Sequence, residues 1–176
     1  MRKALLLLGI LNDSDLDWLI AAGSKRLVSP GSVLIHQGQP IDEVFLVLGG
    51  MLSVRTDKTG DADIARLRSG EVVGEMSFVD SKPPSASVCA IEPSAVLAIP
   101  RSVLKRKLDG DMPFAARFYR ALAVFLSDRL RSTVGMLGYG HLEPERDDDE
   151  VAPETLDNLS LAGARFDWLQ RRLKAI

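Results

Sequence analysis

The sequence predicts a mainly β fold with helices: an antiparallel jelly-roll barrel of about eight strands, flanked by an N-terminal helix and a long C-terminal helix. Three observations predict it. Between Arg26 and Pro100 turn residues recur at short intervals, at Pro30-Gly31, Gly38, Gly49-Gly50, Gly60, Gly70, Gly74 and Pro83-Pro84, the punctuation of an antiparallel sandwich or barrel. The runs between them, at 33–35, 44–48, 51–54, 64–67, 88–91 and 96–99, are rich in strand formers. After Pro100 the apolar spacing changes to a period near 3.6, the signature of helices.

At 176 residues, 46% hydrophobic and 26% charged, the chain suits one ordinary core with appendages. A formal charge of −2 carries no basic excess that would point to nucleic acid or an anionic membrane. Cys89 is the sole cysteine, so no internal disulfide forms and a reducing compartment is expected. No apolar run approaches the length of a membrane span.

At the N-terminus, Met1-Arg2-Lys3 followed by apolar residues 4–11 imitates a short secretory signal, with Ala21-Ala22-Gly23 as a conceivable cleavage point. The rival reading is a helix docked on the domain. It is interrupted at Asn12-Asp13-Ser14-Asp15, a cluster of N-cap residues for an amphipathic helix through Leu16, Trp18, Leu19 and Ile20. The strand runs that follow are apolar on both faces, which predicts helices covering one side of the barrel.

Beyond Pro100, residues 102–108 read as a short helix, Gly110-Asp111-Met112-Pro113 as a break, and 114–137 as a long helix with no proline or glycine before Gly135. On its wheel Arg117, Arg120, Ser127, Asp128, Arg131 and Ser132 share a polar arc. Phe114, Phe118, Leu122, Phe125, Leu126, Leu130 and Leu137 spread over most of the rest. That is wider than the roughly 100° one core requires, so a homodimer through this helix is expected. Residues 138–159, centred on Asp147-Asp148-Asp149-Glu150, read as an acidic linker. Residues 160–176 form an amphipathic tail helix with Leu161, Phe166, Leu169, Leu173 and Ile176 on one face, Trp168 at its edge, and Arg165, Arg171, Arg172 and Lys174 outside it. The tail either folds back on its own domain or docks on a protein partner.

The most specific stretch is Gly74-Glu75-Met76-Ser77-Phe78-Val79-Asp80-Ser81-Lys82-Pro83-Pro84-Ser85-Ala86-Ser87-Val88. It resembles the phosphate-binding cassette of cyclic-nucleotide-binding domains, and the resemblance runs from about Leu8 to Leu137, including the order of barrel, short helix and long dimerising helix. It implies a domain over 1–137 that binds cyclic AMP or cyclic GMP and moves the helices after the barrel. It further implies that Glu75 holds the ribose 2′-hydroxyl and that amides at the helix start face the cyclic phosphate. Gly74 permits close backbone approach, and the first helical turn carries unpaired N–H groups. Met76 and Ser77 would supply such amides, Ser85 and Ala86 others from the opposite side, and Ser87 a hydroxyl. Glu75 equally suits a plain helix N-terminal carboxylate stabilised by the dipole. Because that helix belongs to the resemblance, retention of the N-terminal segment and a cytoplasmic location are expected.

One residue departs from the pattern. The arginine that would neutralise the phosphate is Pro84, which carries no charge and donates nothing. Losing one partner of a buried charge pair costs on the order of 2–5 kcal/mol, so weak binding is expected. Either the pocket is vestigial, or another cation serves. Arg129, on the apolar arc beside Phe125, is the candidate, against the reading that it snorkels or pairs with a carboxylate. Lys82 is a weaker one.

Enzyme readings find no support in the sequence. There is no Gly-rich P-loop or dinucleotide fingerprint, and His36 and His141 lie far apart without the ligand spacing of a metal-dependent jelly roll. Cys89 reads as a small core residue. The catabolite activator protein family adds a winged helix-turn-helix after the long helix, but the remainder here lacks a helix and turn to position a recognition helix. No DNA partner, cofactor or metal is expected. The reading is a non-catalytic regulatory module that binds a cyclic nucleotide weakly; the alternative is a ligand-free dimeric adaptor that engages a protein through its C-terminal helices.

Overall fold

Helix α1 (Asp13–Ala22) starts where Asn12 closes a reciprocal cap: its side-chain oxygen accepts the Asp15 N–H at 2.8 Å, and the Asp15 carboxylate accepts the Asn12 N–H at 3.0 Å. The computed structural model describes residues 9–58, 62–136 and 153–174. The apolar segment 4–8, Gly60, the acidic run 147–150, Leu137, His141 and Ile176 lie outside them.

Eight strands follow α1: β1 (Ser24–Val28), β2 (Val33–Ile35), β3 (Glu43–Gly49), β4 (Met51–Arg55), β5 (Ala65–Arg68), β6 (Val72–Val73), β7 (Ser87–Ala90) and β8 (Ser94–Pro100). They pair antiparallel in two four-stranded sheets, ordered β1-β8-β3-β6 and β2-β7-β4-β5. That is a jelly roll. Strands β1 and β6 were not anticipated: β1 is mostly exposed and polar, and β6 is two residues long, so neither carries a strand signal of its own. Ile64 lies just outside β5, its N–H bonded to Val54 O at 2.8 Å.

The double apolarity of the central strands has a structural cause. Along β3 and β8, Phe45, Val47, Val96 and Ala98 point between the sheets, where Leu52, Leu67 and Val88 meet them. Their neighbours Val44, Leu46, Leu97 and Ile99 point outward, into a second core shared with the helices. One strand thus serves two cores.

The helices of that second core are α3 (Arg101–Gly110), α4 (Met112–Met136) and α5 (Pro153–Lys174), beside α1. Between β6 and β7 sits the short helix α2 (Glu75–Asp80). Asp111 separates α3 from α4, and its carboxylate accepts the Phe114 N–H at 2.9 Å. Helix α4 therefore begins before Pro113, whose missing N–H costs nothing in a first turn. Phe114 stacks on Phe118 at 5.7 Å and meets Trp18 edge-on at 5.3 Å, joining α4 to α1.

Three expectations about the C-terminal half are corrected. Leu122 is a core residue, so it does not belong to a leftover apolar surface. The tail helix begins at Pro153 and not Ser160, which shortens the expected linker 138–159; proline is favoured in a first turn. Its buried face is Ala162, Phe166, Leu169 and Leu173, at spacings of four, three and four, while Leu161 is exposed. The tail docks on its own chain. Gln170 donates to Leu48 O, Lys25 Nζ donates to Leu173 O at 3.0 Å, and Arg165 bonds Asp13 at 2.8 Å and Leu11 O at 2.7 Å. Among the described residues no helix is long and apolar enough to cross a membrane.

Candidate functional site

The site is built at the β6–α2 junction. Gly74 turns the chain with φ +84°, and an added Cβ would stand 2.8 Å from Ile41 Cδ1 and 3.2 Å from Glu43 O. Only glycine meets both demands, the left-handed backbone and the close approach. Helix α2 begins at the next residue, so Glu75 is turned inward and is 2% exposed. Ser81, also left-handed, ends the helix with its N–H on Ser77 O at 3.0 Å.

Glu75 faces α4. Arg129 Nη1 lies 2.5 Å from Glu75 Oε1, its Nη2 lies 3.9 Å from Glu71 Oε2, and its guanidinium stands 4.9 Å from the centre of the Phe125 ring. Burial pushes the Glu75 carboxyl above the usual carboxylate range; the Arg129 charge opposes this, as do the backbone N–H groups of Glu75 and Met76, which face the same carboxylate.

A cavity of about 180 Å³ opens here. Gly74, Glu75, Met76 and Ser77 form one wall, Ser85 and Ala86 another, and Arg129 reaches in from α4. Seven of the eight residues singled out from sequence therefore line one cavity. Ser87 is the exception and a correction: its hydroxyl accepts the Gln37 N–H at 2.9 Å, which ties β7 to the loop after β2, and it does not line the cavity. Pro84 lines it too, with its carbonyl accepting the Gly38 N–H at 2.9 Å. Lys82 is exposed, 3.8 Å from Asp80.

Sequence reasoning missed two features. The apolar wall of the cavity comes from Ile35, Val54, Leu67, Val73 and Val88, on five separate strands or their flanks. Arg101, first residue of α3, donates to Ile41 O at 2.8 Å and Ser77 O at 2.7 Å and stands over the Phe78 ring. It pins the far side of α2. A conspicuous arginine directly after Pro100 was its sole sequence signal. Among the described residues no group of three or more His, Cys, Asp or Glu is arranged to hold a metal.

Comparison with known proteins adds the following. The family model described as cyclic nucleotide-binding domain matches residues 25–111. The cyclic AMP receptor protein of Thermus thermophilus is 32% identical over 126 residues, which are 69% of this chain and 55% of that protein. The chain thus spans about half the length of that curated relative. The crystal structure of the catabolite activator protein of Thermus thermophilus superposes with a TM-score of 0.63 at 29% identity, covering 76% of this chain and 62% of that one. A cyclic nucleotide-binding domain from Methylobacillus flagellatus superposes with a TM-score of 0.70 at 22% identity, covering 81% and 85% respectively.

Proposed function

Residues 25–111 belong to the cyclic nucleotide-binding domain family, and from that premise we propose that the chain is a non-catalytic, cytoplasmic regulatory module whose pocket binds cyclic AMP or cyclic GMP weakly. The observation that carries the reading is the cavity itself: Glu75 and Arg129 meet at 2.5 Å inside it, and Pro84 lines it, the residue at which the resemblance leads one to expect a phosphate-neutralising arginine. Glu75 would take the ribose hydroxyl, and Ser77, Ser85 and Ala86 would offer backbone amides. Arg129 is the remaining guanidinium in the cavity, but its charge is already shared with Glu75. Affinity in the range of roughly tens of micromolar or poorer follows from the lost charge pair. Movement of α2 would reach α3 through Arg101 and α4 through Arg129. Calorimetric titration of the chain with each cyclic nucleotide tests the reading. Pro84→Arg should strengthen binding by roughly one to three decades; submicromolar affinity in the unmodified chain would refute the weak-binding reading.

A second reading, a dimeric adaptor, is favoured by a separate observation. On α4 the residues Tyr119, Ala123, Leu126, Leu130 and Val134 make one stripe, and all but the half-buried Leu126 are exposed, Leu130 by 64%. The tail helix, seated on α1, does not cover it. A parallel pairing of two α4 helices about a two-fold axis would bury such a stripe symmetrically.

A further inference from the structure

We propose that this pocket takes an uncharged ribonucleoside in preference to a 3′,5′-cyclic nucleotide. The inference rests on the reading of the cavity as a ribonucleotide-type site and deepens it by naming the charge class of the ligand.

The charges decide it. Two cations line the cavity, Arg129 and Lys82, together with two carboxylates, Glu75 and Asp80. Arg129 is held by Glu75 at 2.5 Å, with Glu71 also at 3.9 Å, and Lys82 lies 3.8 Å from Asp80. No lining cation is without a carboxylate partner. The nearby Arg101 is spent on the carbonyls of Ile41 and Ser77. Helix α2 adds little, since it is six residues long and its first N–H groups face the Glu75 carboxylate. Every full positive charge in the cavity wall is thus already paired from within the chain, Pro84 adds none, and what remains for a phosphate is the uncharged amides of Ser77, Ser85 and Ala86.

The rest of the wall is aliphatic, from Ile35, Val54, Leu67, Val73 and Val88. A phosphate brought into it loses hydration and meets a buried carboxylate, with neutral amides and no unpaired cation to compensate. A nucleoside meets the opposite situation. Its vicinal diol donates O–H groups, and an ionised carboxylate is an acceptor with about four lone-pair sites, more than one guanidinium and two amides fill when Arg129 takes a single oxygen. Its base presents an apolar face to the aliphatic wall. The same Glu75–Arg129 pair that leaves no charge for an anion leaves acceptor capacity for a sugar.

The test is calorimetry on the full chain with adenosine, guanosine, cyclic AMP, cyclic GMP and the two 2′-deoxynucleosides. We expect a nucleoside to bind about tenfold or more tighter than its own cyclic nucleotide, and the deoxy form to lose about tenfold or more. Pro84→Arg, with folding checked by thermal melting, should improve cyclic nucleotide affinity about tenfold or more and so narrow or reverse the preference for the nucleoside. Cyclic nucleotide binding as tight as nucleoside binding in the unmodified chain overturns the proposal and leaves the ribonucleotide reading intact. Equal binding of ribo- and deoxynucleoside overturns the diol contact on which the proposal stands. Absence of binding by every compound defeats the ribonucleotide reading, and the proposal with it.

Discussion

Arg117 of α4 grips Asp15 of α1 through two hydrogen bonds, Nε to Oδ2 at 2.6 Å and Nη2 to Oδ1 at 2.8 Å. The same carboxylate also closes the α1 cap through the Asn12 N–H. One side chain therefore fixes both the start of α1 and its attachment to the long helix, in the wall of the helical core.

Removing that carboxylate should loosen both. Asp15→Ala is expected to cost about 2 kcal/mol, from charge-assisted hydrogen bonds to an arginine that is itself 32% exposed and from a lost cap. Burial alone would raise the Asp15 pKa, but the Arg117 bonds and the Asn12 N–H outweigh it, and the net direction is downward. A folded-state pKa below the unfolded one contributes stability that is present above the unfolded value, near pH 4, and lost as pH falls through the folded value. Thermal melts across the acid range should thus show the wild-type chain losing stability below about pH 4, with that part of the slope missing in Asp15→Asn. Identical acid limbs in the two proteins would remove Asp15 as the cause.

Glu75 has the opposite sign. Its carboxyl is raised by burial, and Arg129 is what restrains the rise. Arg129→Ala would leave a carboxylate that is 2% exposed without its cation. We expect a loss of about 2–3 kcal/mol at pH 8, the low end for a buried pair because Arg129 itself is 32% exposed. Since a raised carboxyl pKa favours the folded state at low pH, the variant should recover part of that loss as pH falls and Glu75 takes up its proton. A deficit independent of pH would mean that Arg129 acts through packing on Phe125 and not through charge.

The exposed stripe on α4 makes a prediction about assembly. Leu130 and Val134 belong to the stripe and not to the core. Leu130→Glu with Val134→Glu should therefore convert a homodimer to a monomer while leaving the melting temperature of the domain nearly unchanged. Sedimentation velocity over a concentration series reads this directly. A wild-type chain that stays monomeric at high concentration refutes the dimer. Leu169→Ala serves as a contrast: Leu169 is fully buried in the tail face, so its truncation should cost about 2–5 kcal/mol without dissociating the dimer.

The order of elements was legible because it rests on local chemistry. Glycine and proline spacing marked the barrel, Asn12 and Asp15 marked the start of α1, and Gly74-Glu75 marked the turn into α2, each through backbone geometry that a few neighbouring residues decide. Much of the cavity wall is local in sequence as well, since twelve of its sixteen lining residues fall between Val73 and Val88.

What neighbours in sequence could not supply was partnership across the fold. Leu122 and Leu130 lie on the same apolar arc, and only the packing of α4 against the barrel sends the first into the core and leaves the second in water. Arg165 was placed outside the apolar face of the tail, yet its side chain is 15% exposed and bonds Asp13 and Leu11 O, 152 and 154 residues away in sequence. Arg129 had two readings that periodicity could not separate; tertiary structure pairs it with the Glu75 carboxylate and sets it in the cavity wall. Local sequence determines where backbone must turn and which faces are apolar, because those preferences act over a few residues. Which apolar face is covered, and which charge neutralises which, depends on elements far apart in the chain and is decided only when they pack.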